Sequence, residues 1–385
     1  MVTVEATIVG GGITGCAVAD AAARAGFEVV LLEKEARLGA GVTSRNSEVA
    51  HGGMYYPPGS IKADCCVRGR RLLKVFCAEA GVAYRECGKL IVAVDDDEAE
   101  RLDPILARGL ANGVEDFNRL DADQLLAMEP DVKAVAGLWS PRTGIVDAEG
   151  AARAYADRAA EHGALLMTGT EVTALERRDG AWLVTARRGD ETWTHASTHL
   201  VLCGGLHADD LVAMTGLDVD AEGLRQTWVK GNYFSIDPRH AGRVNRLVYP
   251  VPPRAKDTLG VHVCLDLGGQ MRLGPDFEPV VRGVEDYAVD PLRLTPFYEG
   301  AVRFLPWLEP EDLNPVMSGI RPKLEFPGPF ADFRIRRYDG EREGLVALTG
   351  IDSPGLTSSP AVGALVADVL GGGIPPAPLD VGGEA

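Results

Sequence analysis

The chain has 385 residues, 46% hydrophobic and 25% charged, an ordinary globular composition that excludes disordered and fibrous architectures. Lys plus Arg is 39 against 56 Asp plus Glu, a formal net charge of −17, which argues against nucleic acid as a partner and against adsorption to an anionic membrane surface. No apolar run reaches the roughly 18 to 20 residues that span a bilayer, and Met1–Ala6 lacks the basic start of a secretory leader; a cytoplasmic protein with no transmembrane segment is expected. The seven cysteines (Cys16, Cys65, Cys66, Cys77, Cys87, Cys203, Cys264) are odd in number and contain no C-x-x-C pair, so neither structural zinc, nor any other metal, nor a disulfide framework is expected. Adjacent Cys65 and Cys66 could form a redox pair, but small buried filler on a helix is the preferred reading.

The first 33 residues read as strand, glycine turn, helix, strand and acid. The apolar run Ala6–Val9 precedes Gly10-Gly11-Gly12-Ile13-Thr14-Gly15, a helical stretch Cys16–Ala25 follows, and a second apolar run, Phe27–Leu32, ends in Glu33. This is the dinucleotide-binding βαβ unit. Gly10 allows the tight turn, Gly12 lets the backbone approach a pyrophosphate, and Gly15 lets the helix pack on the strand, while the helix N-terminus offers unpaired N–H groups to phosphates. Glu33 would accept from the adenosine ribose hydroxyls and would repel the 2′-phosphate of NADP. The unit alone does not separate NAD from FAD.

The stretch from Gly39 to Ala63 is dense in small residues and hydroxyls, suited to backbone approach to a flat polar ligand. Asp95–Glu98 reads as a solvated turn before a helix. A helix is expected from Asp147 to about His162, then strands at Ala164–Met167, Glu171–Leu175, Ala181–Arg187 and Glu191–Ala196, then an apolar strand Leu200–Leu202 returning to Cys203-Gly204-Gly205. Gln226–Ile236 and Gly260–Leu267 read as β, and Pro250, Pro252 and Pro253 mark turns or edges. Near the end, the apolar run Gly344–Leu348 leads through Gly350–Gly355 into a small-residue helix, Ser358–Leu370: a second helix N-terminus able to face an anion or carbonyl. The Gly/Pro-rich tail Gly371–Ala385 is expected to fray.

Ser44-Arg45-Asn46-Ser47-Glu48-Val49-Ala50-His51-Gly52-Gly53-Met54-Tyr55-Tyr56-Pro57-Pro58-Gly59-Ser60-Ile61-Lys62-Ala63 resembles the L-2-hydroxyglutarate dehydrogenase/oxidase branch of the D-amino-acid-oxidase-like flavoproteins, whose pattern runs S-R-N-S-x-V-x-H-x-G-x-Y-Y-x-P-G-S-x-K-A. The resemblance continues at Val229–Phe234, Tyr249–Pro252, Leu259–His262, Gly319–Leu324 and Gly350–Ser359, covering nearly the whole chain. It departs at Val263–Leu267, where better-known members often carry a polar Thr and Arg.

The resemblance implies an α/β fold: a Rossmann-like FAD-binding domain of glutathione-reductase type, assembled from 1–80, 145–212 and 326–385, interleaved with a mainly antiparallel-sheet substrate domain from 81–144 and 213–325. It implies FAD held by Gly10, Gly12, Ile13, Thr14, Gly15, Glu33, Lys34, Thr43, Ser44, Arg45, Asn46, Ser47, Val172 (near the adenine), Gly204, Gly205, Gly350, Ile351, Gly355, Leu356 and Thr357, with the last group near the isoalloxazine edge. The implied activity is oxidation of a small anionic L-2-hydroxy acid, first L-2-hydroxyglutarate, with electrons passed to oxygen or a quinone. An amine or amino-acid oxidase of the same fold, a nicotinamide dehydrogenase and a non-catalytic flavin-binding protein stay open as alternatives.

Such chemistry needs a base for the hydroxyl proton and a cation for the carboxylate. Arg321 is the candidate clamp, because a guanidinium grips a carboxylate bidentately; its plain alternative is a surface ion pair. His51 is the candidate base, able to be neutral at working pH, with a structural histidine as its alternative and His262 as second choice. Tyr56, Lys230 and Tyr249 are candidates for a second carboxylate or for packing. The other histidines, His162, His195, His199, His207 and His240, read as surface residues.

Overall fold

The computed structural model describes residues 2–253 and 260–381. Met1, Leu259 of the Leu259–His262 motif and the last four residues of the tail lie outside them.

Strand Thr3–Val9 lies at the centre of an eight-stranded sheet among the described residues, with Val29–Leu32 on one side and Glu191–Leu202 on the other, all parallel. Leu165–Met167 and Leu345–Thr349 extend the parallel array outward. Alternation along these strands sorts side chains to two cores. Ala6, Ile8, Val29 and Leu31 face a layer of helices, Ile13–Arg24, Ala148–Glu161 and Gly355–Leu370, whereas Val30, Leu32 and Leu202 face the antiparallel meander that carries Val172, Trp182 and Val184. A parallel sheet covered on both faces is the expected outcome of apolar runs with no polar alternation.

The helices approach unusually closely because small residues meet backbone. A Cβ on Gly363 would lie 2.5 Å from the Ala17 carbonyl oxygen, and one on Gly69, in the helix Ile61–Ala80, would lie 2.4 Å from that of Thr357. At the βαβ turn the contact is tighter still: a Cβ on Gly15 would stand 1.9 Å from the Gly10 oxygen.

Among the described residues, a nine-stranded sheet carries the strands between residues 89 and 140 and between 226 and 324. Its pairings are antiparallel apart from Leu247–Pro250 beside Lys89–Ala93. The long strands Gln226–Ile236 and Leu313–Leu324 pair along their length and bring Val229 opposite Arg321. A three-stranded sheet, Val49–Ala50, Gly144–Val146 and Tyr84–Arg85, links chain segments from the two regions.

Several expectations are corrected. Glu191–Leu202 is one strand rather than two, because its first half closes the meander and its second half joins the parallel array. His195 on it is buried, its Nε2 2.9 Å from the Thr7 hydroxyl. Helix Gly355–Leu370 begins three residues earlier than the apolar pattern, at Gly355. Pro250 ends a strand inside the sheet, where its missing N–H is tolerated. Glu98 is buried, accepting from the Val94 N–H and from Arg303. The tail is tied down as far as Val381: Asp380 accepts from Nη1 and Nη2 of Arg334, and Val381 bridges Phe330. Cys65 and Cys66 are buried helix residues, and the seven cysteines are free thiols.

Alanine normally outperforms glycine inside a helix by about 0.8–1 kcal/mol. Gly15→Ala is expected to reverse that sign, because its Cβ must push the helix off the strand at a cost of about 1–3 kcal/mol; a urea midpoint at or above that of the unsubstituted protein would contradict the close contact.

Candidate functional site

A cavity of about 610 Å³ runs between the glycine turn and the antiparallel sheet. Gly10, Gly12, Ile13 and Thr14 line one part of it. Gly10 has φ 109°, and a Cβ there would strike the Cys203 carbonyl, so only glycine fits. Helix Ile13–Arg24 starts at Gly12 with no side-chain cap, and the Ile13 N–H donates to Thr43 Oγ1 at 3.0 Å. Glu33 accepts from the Gly11 N–H at 2.5 Å and the Glu35 N–H at 2.8 Å, which fixes the carboxylate at the cavity wall. Lys34, Val172, Gly204 and Gly205 line the same region.

The turn 41–47 supplies the next section of wall with Thr43, Arg45, Asn46 and Ser47. Asn46 Nδ2 donates to the carbonyls of Val42 and Thr43 while its Oδ1 accepts the Glu48 N–H, an arrangement that holds the turn rigid. Ser47 Oγ lies 2.7 Å from the Tyr233 hydroxyl. Buried Gln226 acts as a strut that sequence reading missed: its Nε2 donates to the Gly205 carbonyl and its Oε1 accepts the Gly350 N–H. No local pattern marks it, since its role exists only once residues 205 and 350 are neighbours.

Ile351–Leu356, His51, Tyr249, His262 and Arg321 line the remaining part. The turn before helix Gly355–Leu370 is pinned by a buried ion pair, Lys62 Nζ to Asp352 Oδ1 at 2.7 Å, with both side chains 10% exposed. That helix also lacks a side-chain cap, so a second positive dipole end opens on the cavity. His51 Nε2 is 3.4 Å from Ser353 Oγ. Its backbone N–H donates to Thr357 Oγ1 at 2.9 Å, and that hydroxyl donates to the Val49 carbonyl. Burial, with the Lys89 charge and His262 nearby, holds the His51 imidazole well below its usual range. His262 stacks on Tyr249 with ring centroids 3.7 Å apart and sits beside the Gly260 carbonyl through Nδ1; burial pushes it down to about 3. Arg321 Nη2 donates to the Asp276 carbonyl at 2.6 Å, which leaves the rest of the guanidinium fork for a ligand.

Other sequence candidates stand behind the wall rather than on it. Gly15 permits helix packing, Ser44 donates to the Gly41 carbonyl, Gly350 abuts Leu324, and Thr357 holds the His51 backbone. The Tyr56 hydroxyl lies 3.5 Å from Ser353 Oγ. Lys230 is drawn away by Asp286 and the Ala288 carbonyl. His207, expected at the surface, lines the cavity between Asp210 and Glu285, at 3.1 Å from each. Among the described residues there is no cluster of three or more side chains able to hold a metal ion.

Two helix N-termini whose N-cap residues, Gly12 and Pro354, give no capping side chain, glycines whose Cβ would fill the wall, and an acid at the end of the second strand fit a dinucleotide carrying a flat ring system. The chain is 34% identical to a mitochondrial L-2-hydroxyglutarate dehydrogenase of Arabidopsis thaliana, over 95% of this chain and 83% of that protein. It is 37% identical to the L-2-hydroxyglutarate dehydrogenase of Escherichia coli K12, a match that spans 70% of this chain and 63% of the relative's length. The fold superposes on the dithionite-reduced, FAD-bound L-α-glycerophosphate oxidase of Mycoplasma pneumoniae with a TM-score of 0.86 and 27% identity, covering 98% and 97% of the two chains. The profile of the DAO family, FAD dependent oxidoreductases, matches residues 5–369, and the chain belongs to that family.

Proposed function

We propose that this flavoenzyme oxidises an L-2-hydroxy acid, with L-2-hydroxyglutarate as first substrate and oxygen or a quinone as final acceptor. The observation that carries the reading is the gathering of His51, His262, Tyr249 and Arg321 in one cavity with the glycine turn and Glu33; the names of the two dehydrogenase relatives support the choice of substrate. The two-domain division is part of the same proposal, with 1–80, 145–212 and 326–385 holding FAD and 81–144 with 213–325 holding substrate. Of the expected cofactor contacts, those lining the cavity would touch FAD, whereas Gly15, Ser44, Gly350 and Thr357 would shape its wall. Among the described residues no helix is long and apolar enough to cross a membrane, and the free thiols favour the cytoplasm.

Bound FAD supplies a two-electron acceptor for the hydride that leaves the substrate α-carbon. Arg321 grips the α-carboxylate with its free N–H groups and stays charged throughout. His51, neutral because burial disfavours its cation, takes the hydroxyl proton at Nε2 as the carbonyl forms. Tyr249 and His262 close the side of the cavity and exclude water from the reacting carbon.

Anaerobic mixing with a panel of hydroxy acids and amino acids tests the reading through loss of the flavin absorbance; bleaching by amino acids alone would select the amine-oxidising alternative. Arg321→Met is expected to cost about 2–4 kcal/mol of substrate binding, seen as a weakened saturation curve. His51→Gln is expected to lower the plateau of flavin reduction roughly 100-fold to 10,000-fold with FAD retained. The protonated base is inactive, so the rate should fall only where pH drops through the lowered His51 value. Stopped-flow reduction should therefore be flat from about pH 8 down to the ordinary histidine value near 6.5; a half-maximal rate near 6.5 would place the base elsewhere.

A further inference from the structure

Among the described residues, Lys89 is a buried cation with no counter-charge. It begins strand Lys89–Ala93, hydrogen-bonded between Leu247–Pro250 and Ala136–Ser140, and it is fully buried. Its Nζ has no hydrogen-bond partner among the described residues. The ammonium lies 3.8 Å from the centre of the Tyr249 ring and 5.6 Å from that of Tyr55. Tyr249 in turn stacks on His262, so the order is ammonium, phenol, imidazole, with the last two lining the cavity. Cys66 from the helix Ile61–Ala80, Cys264 from strand Val263–Leu265, Cys87, His51 and His262 are the other titratable groups around it. The thiols are all raised by burial and hence neutral. A lysine with no counter-charge is costly to bury, and a methionine would pack the same space without that cost.

We propose that Lys89 is a positioning residue whose ammonium, seated against the Tyr249 ring, supplies the positive field that draws a dicarboxylate substrate to the Tyr249–His262–Arg321 part of the cavity. This rests on the hydroxy-acid reading above, whose first substrate already carries two carboxylates, and adds the buried charge that attracts them. The missing counter-charge is then provided by the substrate itself. A cation acting through an aromatic face across a dry interior is weakly screened, so no direct contact is needed. Burial also brings the Lys89 ammonium down to about 8, so its charge is lost as pH rises through that value. Anion binding should weaken in the same range.

The test is calorimetric titration of the FAD-loaded protein with glutarate, which has both carboxylates but no hydroxyl to oxidise, from pH 6.5 to 9.5. The unsubstituted protein should bind glutarate about tenfold more weakly at the alkaline end, with the step near pH 8. Lys89→Met should bind at least tenfold more weakly at pH 7 and show no step, whereas Lys89→Arg should keep tight binding up to pH 9.5. In Lys89→Met the acid limb of flavin reduction should also move to higher pH, since one positive neighbour of His51 is gone; a purely structural role would leave both pH profiles in place. Glutarate binding by Lys89→Met with the strength and pH dependence of the unsubstituted protein overturns the proposal. So does an unsubstituted protein that fails to bind glutarate, or binds it without a step. Failure of the substrate reading is a separate result: no hydroxy acid bleaches the flavin of the unsubstituted protein.

Discussion

The arrangement of the site depends on one contact type, backbone meeting backbone where side chains are absent. Helix Gly355–Leu370 presses Gly363 to the Ala17 carbonyl, and its Thr357 carbonyl receives Gly69 of a second helix. These approaches set the position of the helix start, hence of Ile351–Leu356 on the cavity wall and of Thr357 under His51. A methyl group at either of these glycines would have to push the facing carbonyl away by roughly 0.5–1 Å, and interiors packed at this density do not absorb such shifts.

Polar struts complete what close packing begins. Gln226 joins the 205 loop to the 350 turn, Lys62 pins Asp352, and Asp276 offers its carbonyl to Arg321 while its carboxylate accepts from Asn232 and Arg293. Each buried donor or acceptor here is satisfied by a group from a distant part of the chain, so loss of one partner strands the other. The cavity is therefore held open by its surroundings, as a preorganised site requires.

The βαβ unit was legible because the chemistry of a tight turn, a close approach and a helix–strand contact demands glycine at fixed spacing, and residues 10, 12 and 15 satisfy it. Gln226–Ile236 was legible from its composition and carries the same bounds in the structure. The fusion of 191–202 into one strand was not, because a strand shared by a meander and a parallel array carries two patterns, and His195 reads as polar until Thr7 is placed beside it. Lys230, a candidate in the sequence, and Lys89, which no sequence pattern marks, show the same difficulty. Both are lysines on strands, and only the three-dimensional neighbours, Asp286 for one and Tyr249 for the other, tell which faces an ion pair and which lies without one.

The hydrogen bond between His51 and Thr357 spans 306 residues, and this separation governs the order in which the protein becomes functional. The βαβ unit closes through contacts near in sequence, but it presents only half of a wall. The opposite half comes with helix Gly355–Leu370, which follows the antiparallel sheet in the chain. Closure entropy grows only slowly with separation, but pairings this distant in sequence slow folding, and without them the glycine turn lacks its facing wall. A ligand bridging both halves stabilises the docked form alone, so FAD seated there would hold these distant parts of the chain together as well as serve the reaction.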